Sequence, residues 1–370
     1  MRVLILVCFG LIFALGLMMV FNTSSAFILD RFLDTSLHHA LIRQMLYAVI
    51  GLICGFVVLR VGADNLIRLG IPLFVLTLFL LLLVYVPGVG HMRNGARRWV
   101  GVGGFSFQPS EFAKFVLPLT FLALFFQQAE RKVNFASFCW LVGLLFIPIF
   151  FVMLEPDHGT AFVMGLSLMP LFFLSGVKWQ YWVIPVLCLT IVGGVLAYQV
   201  PYVRARVKVY LHPELDLLGK GHQPYQAKIA AGSGGLLGKG PGGSLQKLTY
   251  LPEAQNDYIA AIFAEEFGFV GILVLLFLYM LFTFAGFSIA FASSNRLGCY
   301  LATALTFVIG IQAFLNLAVV AGMLPSKGVN LPFFSQGGSS LVANICMLAC
   351  LISIGGKKET VQWQKRFSSP

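Results

Sequence analysis

The sequence of 370 residues predicts an all-α polytopic membrane protein, with about ten transmembrane helices and one long polar loop between the seventh and the eighth. Three observations carry that prediction. Hydrophobic residues make up 59% of the chain and charged residues 11%, where a soluble domain has about 45–50% and about 25%. The mean hydropathy is +0.89, which implies more apolar surface than a water-soluble fold can hide in a core. The apolar residues also form continuous blocks rather than alternating. Lipid accepts such blocks as helices, which satisfy their own backbone hydrogen bonds.

In chain order the blocks place spans at residues 3–22, 44–61, 68–87, 110–127, 137–154, 159–176, 180–200, 262–291, 297–323 and 338–355. An even number puts both termini on one side. The first block lies between Met1-Arg2 and Ser24-Ser25-Ala26, the layout of a cleavable leader. Its length and the spans behind it favour a retained first span. Loops 88–109 and 201–256 carry many Lys and Arg residues and cancel the charge bias between the two sides. If those two loops serve a substrate, the remaining basic residues put both termini in the cytoplasm. Residues 1–355 then form one membrane domain containing the extracytoplasmic loop 201–256. Residues 356–370, with Lys357, Lys358, Lys365 and Arg366, form a cytoplasmic polar tail.

The net charge of +11 does not indicate nucleic-acid binding, because the basic residues sit between apolar blocks. Lipid headgroups or an anionic, lipid-linked substrate suit that placement. Cys8, Cys54, Cys139, Cys188, Cys299, Cys346 and Cys350 all lie within apolar blocks, and none has C-x-x-C spacing. They read as small membrane hydrophobes, not as a disulfide framework or a zinc site.

The polar constellations are few. Gly232 to Ser244 is glycine-rich but is no P-loop, since Gly238-Lys239 is followed by Gly240. It is either a plain surface loop or a set of exposed backbone N–H groups able to cradle an anion. Beyond it, Glu253, Asn256 and Asp257 precede the eighth span. Asn256 can N-cap that helix and Asp257 can answer its dipole, or Asp257 is a general base at the membrane edge. Glu265-Glu266 lie in or near apolar sequence and read as a lining or as ion pairs.

Before the fourth span, Arg93, Arg97 and Arg98 beside Trp99 form either an interfacial belt or a grip for phosphates with a ring to stack on. Gln108-Pro109-Ser110-Glu111 resembles a helix start, and Glu111 and Lys114 share a helix face and can pair. Glu155-Pro156-Asp157-His158 puts acids at a span boundary, with His158 read as interfacial. Leu324 to Ser340 is rich in glycine and proline, so it predicts irregular backbone at membrane depth. Such backbone requires protein or a wet cavity around it.

These stretches together resemble the SEDS family of FtsW, RodA and SpoVE. The resemblance is carried by Arg97-Arg98-Trp99, Gln108 to Lys114, Pro156 to Ala161, Gly232 to Gly240, Leu251-Pro252-Glu253 with Asp257, Glu265 to Gly268, and Leu324-Pro325 through Gly337 to Ser340. They cover nearly the whole chain in family order. Three departures stand out. Gln255-Asn256 replace the usual His-Thr, Gln336 replaces the Tyr of Ser-Tyr-Gly-Gly, and His158 replaces the Leu of Pro-Asp-Leu-Gly. Gln and Asn keep hydrogen-bonding capacity and lose the titratable imidazole.

The resemblance implies ten spans in the bacterial cytoplasmic membrane with both termini cytoplasmic. It implies polymerisation of lipid II by a peptidoglycan glycosyltransferase, in cell division or in elongation, with a class B penicillin-binding protein and other division or elongation proteins as partners. Asp257 matches the catalytic aspartate, and Lys327 leans towards FtsW and so towards the division site. The chemistry fits one base plus several cations, because pyrophosphate leaves as an anion and needs positive charge rather than an acid. Expected substrate-binding residues are Arg97, Arg98, Trp99, Gln108, Ser110, Glu111, Lys114, Asp157, Lys239, Lys247, Glu253, Lys327 and Ser339. A divalent cation can share the charge neutralisation, and no ligand-spaced cluster demands one. Two alternatives are a flippase or transporter for the same lipid-linked precursor and a non-catalytic divisome scaffold.

Overall fold

The computed structural model describes residues 1–31, 38–93, 96–102, 105–127, 134–187, 198–199, 204, 210, 221–248, 251, 254–325 and 328–356. Its helices are α1 (Arg2–Arg31), α2 (His39–Val61), α3 (Ala63–Arg68), α4 (Gly70–Leu83), α5 (Pro109–Gln127), α6 (Phe135–Leu154) and α7 (His158–Leu174). They continue with α8 (His222–Ser233), α9 (Ile259–Phe291), α10 (Arg296–Val320) and α11 (Gly338–Gly355). Among the described residues six stretches are long and apolar enough to cross a membrane: Arg2–Ser25 of α1, and α2, α6, α9, α10 and α11; α4 and α7 are shorter apolar helices.

The helices differ in what surrounds them, and their side chains say so. α5 sits at the centre: Phe115, Val116, Leu117, Leu119, Phe121 and Leu122 are all buried, so no face of that stretch is free. α2 packs on α11 through Gln44, Ala48, Gly51 and Gly55, while Leu52, Ile53, Phe56 and Val57 are exposed. Apolar residues on the outer as well as the inner face suit lipid, not water. α9 packs on α1 and α10, and α7 on α5 and α10.

The expected spans 3–22, 44–61, 110–127, 137–154, 159–176, 262–291, 297–323 and 338–355 each coincide with one helix. Span 68–87 corresponds to the shorter α4, which starts just after the junction with α3 at Leu69 and ends at Leu83. Span 180–200 begins as a short 3-10 turn at Trp179–Tyr181, and its residues 188–197 and 200 lie outside the described residues. So do Glu253, Lys327, Cys188 and the tail 357–370.

Two loops hold structure that their polarity conceals. Residues 88–109 contain a three-stranded antiparallel sheet, β1 (Gly90–Arg93), β2 (Ala96–Val102) and β3 (Phe105–Phe107), in the order β1-β2-β3. Val100 pairs with Gly90 on one side and Phe107 on the other. The loop 201–256 contains α8, whose Ala227 and Ala230 are buried where it packs on α9 and α10.

α9 is kinked at Gly268, which adopts φ +66°. There the glycine-rich loop lies flat against the helix. Lys239 and Gly240 N–H donate to the Glu265 and Glu266 carbonyls, and Phe269 and Val270 N–H donate to those of Gly235 and Leu236. A side-chain carbon at Gly268 would come within 2.3 Å of Gly238 N, so both the dihedral and the contact require glycine.

Candidate active site

Residues 328–337 run through the protein as irregular backbone with a single turn, in which Phe334 and Ser335 N–H donate to Leu331 O, and polar side chains from three helices hold them. Gln312 Nε2 donates to Asn330 O at 2.9 Å and Asn316 Nδ2 to Val329 O at 2.7 Å. These two residues stand one turn apart on the same face of α10. Tyr279 of α9 donates to Pro332 O, and Gln44 of α2 donates to Ser335 O at 3.3 Å. The irregular backbone expected here is therefore enclosed by protein, as the hydrogen-bond requirement demands.

The same support places Asp257. Asn316 Nδ2 also donates to Asp257 O at 2.8 Å, and Gln336 N–H donates to Gln255 O at 3.0 Å. α9 starts at Ile259 after Tyr258, with no side-chain cap. Asn256 is thus not the N-cap, and Asp257 lies in the preceding turn rather than in the first turn of the helix. A side-chain carbon at Gly328, itself at φ +64°, would sit 3.5 Å from Asp257 Oδ2.

Opposite Asp257, the 155–157 turn is gripped by Arg98. On β2 alternate residues face opposite ways, so Arg97 is exposed and Arg98 half-buried. Arg98 Nε donates to Glu155 O at 3.2 Å and Nη2 to Pro156 O at 2.8 Å, and Nη1 lies 3.6 Å from Asp157 Oδ2. Asp157 caps α7, its Oδ1 accepting from Thr160 N–H at 3.1 Å. Its Oδ2 accepts from Gln108 Nε2 at 3.1 Å. Gln108 precedes Pro109, the first residue of α5. Its N–H donates to Ser339 Oγ at 2.9 Å and its side chain donates to Ser110 Oγ at 3.1 Å. Burial raises the Asp157 carboxyl above its ordinary value, with Arg98 pulling the other way. Burial, followed by the charge of Asp157, pushes Glu155 up to about 8.

Both segments border a cavity of about 480 Å³. It is lined by Arg98, Trp99, Gln108, Glu111, Asp157 and Asp257, all singled out in the sequence, with Ser106 and Thr160 beside them. Gln255, Asn256, Gly328, Asn330 and Gln336 to Gly338 complete the side nearest Asp257. Arg43, Gln44 and Tyr47 of α2 also line it, and sequence reasoning missed them. Their signal was available: polar residues in the first turns of an otherwise apolar helix are expensive unless they face a wet interior.

Three expected cation ligands are elsewhere. Lys114, 2% exposed, donates to Glu111 Oε2 at 2.8 Å and to Gln312 Oε1 at 2.9 Å. Lys247 donates to Glu266 Oε1 at 2.8 Å, Asn22 Oδ1 at 2.7 Å and Gly242 O at 2.7 Å. Lys239 donates to Glu265 Oε1 at 2.6 Å. Neither Lys239, Lys247 nor exposed Arg97 lines the cavity. The glycine N–H groups expected to cradle an anion instead donate to backbone carbonyls, Gly238 to Gly234 O, Gly240 to Glu266 O and Gly243 to Gly240 O, and the carboxylate held beside the loop is the protein's own. The Glu265 carboxylate accepts from Leu245 and Gln246 N–H, both at 3.3 Å, and from Ser233 and Ser244 Oγ. Among the described residues no three His, Cys, Asp or Glu side chains are grouped so as to hold a metal ion.

Residues 2–360 match the family described as Cell cycle protein, that of FtsW, RodA and SpoVE. The chain belongs to the FtsW/RodA/SpoVE family. It is 36% identical over 358 residues to the probable peptidoglycan glycosyltransferase FtsW of Geobacter sp. (strain M18), covering 96% of this chain and 95% of that one. It is 38% identical over 347 residues to the stage V sporulation protein E of Bacillus subtilis (strain 168), covering 93% and 94%. Among solved structures it resembles a chain of a peptidoglycan synthase complex that coordinates polymerization and crosslinking, with TM-score 0.78, 27% identity and coverage of 99% and 98%. It also resembles the rod shape determining protein RodA of Thermus thermophilus, with TM-score 0.68, 27% identity and 95% of each chain covered. This SEDS protein shares that helical membrane architecture along nearly its whole length.

Proposed function

We propose that this SEDS protein is a peptidoglycan glycosyltransferase that polymerises lipid II on the outer face of the bacterial cytoplasmic membrane, with Asp257 as its general base. The observation that carries this reading is the polar cavity lined together by Asp257, Arg98 and Asp157. The acceptor sugar hydroxyl attacks the anomeric carbon of the lipid-linked sugar. Its proton passes to the Asp257 carboxylate as the new C–O bond forms. The bond from the anomeric carbon to the phosphate oxygen breaks, and its electron pair leaves on the polyprenyl pyrophosphate. Arg98 and Arg43 are the described cations that line the cavity, and they balance that charge. Gln108, Ser110 and Ser339 hold the Asp157 wall, and Glu111 with Lys114 supports the cavity from α5. Lys327 and Glu253 flank this region in sequence.

In this reading residues 1–355 form one membrane domain with both termini cytoplasmic, and the partner is a class B penicillin-binding protein at the division site. The test is reconstitution of the full chain with that partner in vesicles containing labelled lipid II. Wild type yields a glycan ladder, and folded Asp257→Asn yields none. Normal chains from Asp257→Asn would remove Asp257 from the mechanism. Lipid II that only changes leaflet would make the protein a flippase.

A further inference from the structure

We propose that Glu155 is a positioning residue for this transfer reaction. As a neutral carboxylic acid it leaves the Arg98 guanidinium available to the substrate pyrophosphate, and as a carboxylate it withdraws that guanidinium. The inference rests on the glycosyltransferase reading above and assigns a control element within the same site.

Glu155 is 2% exposed, and among the described residues neither of its carboxyl oxygens has a hydrogen-bond partner. A buried carboxylate without donors is strongly disfavoured, whereas a neutral carboxylic acid is tolerated. Its own backbone carbonyl accepts from Arg98 Nε, and the next carbonyl accepts from Nη2. Arg98 therefore wraps the turn that carries Glu155 and also borders the cavity. Three groups act with Glu155 directly, and a fourth acts through Asp157. Arg98 comes from β2 and Asp157 from the start of α7; Tyr85 follows α4; Glu111 of α5 acts on Asp157. The Tyr85 hydroxyl donates to Phe151 O at 3.0 Å.

With Glu155 neutral, the charges of Arg98 and Asp157 cancel. Ionising Glu155 makes this wall net negative where a pyrophosphate must bind. It also gives Arg98 a second carboxylate to approach. Burial and the charge of Asp157 hold the Glu155 carboxyl at about 8, so it is neutral at pH 7 and ionised at pH 9.

The experiment measures KM for lipid II between pH 6.5 and pH 9.5, using the full chain reconstituted with its partner, for wild type and Glu155→Gln. Gln is the permanent mimic of the neutral acid. In wild type KM rises about tenfold from pH 7 to pH 9, one factor of ten per unit above the titration point. Glu155→Gln matches the pH 7 value and lacks that rise. Other alkaline titrations, including lysines and Tyr85, affect both proteins, so the ratio of the two profiles isolates Glu155. Parallel profiles overturn the inference while leaving glycan synthesis established. An inactive but folded Glu155→Gln also overturns it. Wild type that makes no glycan at any pH overturns the glycosyltransferase reading and the inference with it. A second measurement needs no turnover: the infrared band of the protonated carboxyl. Wild type keeps a band up to about pH 8 that Glu155→Gln lacks, and a band already lost at pH 6 overturns the proposal.

Discussion

Two clusters of charge sit in this protein, and they have opposite designs. Around Glu265 and Glu266 every charge has an internal answer: Lys239, Lys247, Asn22, two serine hydroxyls and two backbone N–H groups. Around Asp257 and Asp157 the backbone is held as firmly, by Asn316, Gln336 and Arg98, yet the side chains border a cavity of about 480 Å³. The first cluster is a closed knot tying α1, α9 and the glycine-rich loop together. The second is a scaffolded opening. Similar residue types, basic side chains and acids at span boundaries, close on one another in one place and border a cavity in the other.

The comparison breaks most visibly at Asp257. Asp257→Asn keeps shape and hydrogen bonding and removes the base. Polymer synthesis should fall by about 10²–10⁴-fold, the usual contribution of a general base, with melting temperature unchanged. A variant that lost stability in step with activity would place Asp257 with the knot instead.

Lys247→Ala should do the reverse. It strands the Glu266 carboxylate, 1% exposed, without its cation. Breaking a buried pair on one side costs about 3–5 kcal/mol, so expression and thermal stability in detergent should collapse. The double variant Lys247→Met with Glu266→Leu should recover much of that loss, since it leaves no lone charge. If the double variant is as damaged as the single one, the pair is not what holds this corner.

The sequence made the helices legible because a span must be apolar for about 20 residues, and nothing in the chain competes with that signal. The three strands were less visible. Arg97-Arg98-Trp99-Val100 does not alternate, and the alternation in Phe105-Ser106-Phe107 is short and sits in a polar loop. The cavity lining was legible at Asp257, Asp157, Arg98 and Gln108, where family motifs fall. It was not legible at Arg43, Gln44 and Tyr47, which belong to no motif and show only as polar residues in an apolar helix. The internal pairing of Lys239 and Lys247 was hidden for a different reason. Their partners lie 26 and 19 residues away in sequence, and composition cannot distinguish a lysine that meets a protein carboxylate from one that meets a ligand.

Arg98→Lys tests the opening more gently. Lysine keeps the charge but cannot donate to two carbonyls and face Asp157 in one plane. KM for lipid II should rise about tenfold, with a smaller change in kcat, and the melting temperature should drop little. Arg97→Lys, on the exposed side of the same strand, should match wild type in both measurements. Equal effects of the two changes would mean that charge in this loop, rather than the grip on the 155–157 turn, is what matters.

The smallest effect is expected at the rim of the knot. The Lys239 side chain is 34% exposed, whereas that of Lys247 is 6% exposed. When Lys239 becomes Ala, Glu265 keeps two hydroxyl and two backbone N–H donors. The carboxylate therefore stays solvated by the protein, and only a partly screened ion pair is lost. Such pairs contribute about 0–1 kcal/mol, and less as salt shortens the range of the charge. Lys239→Ala should lower the melting temperature slightly in dilute buffer and by less still in about 1 M salt. A drop as large as that of Lys247→Ala, or one insensitive to salt, would show that both lysines bear the knot equally and that exposure does not separate their roles.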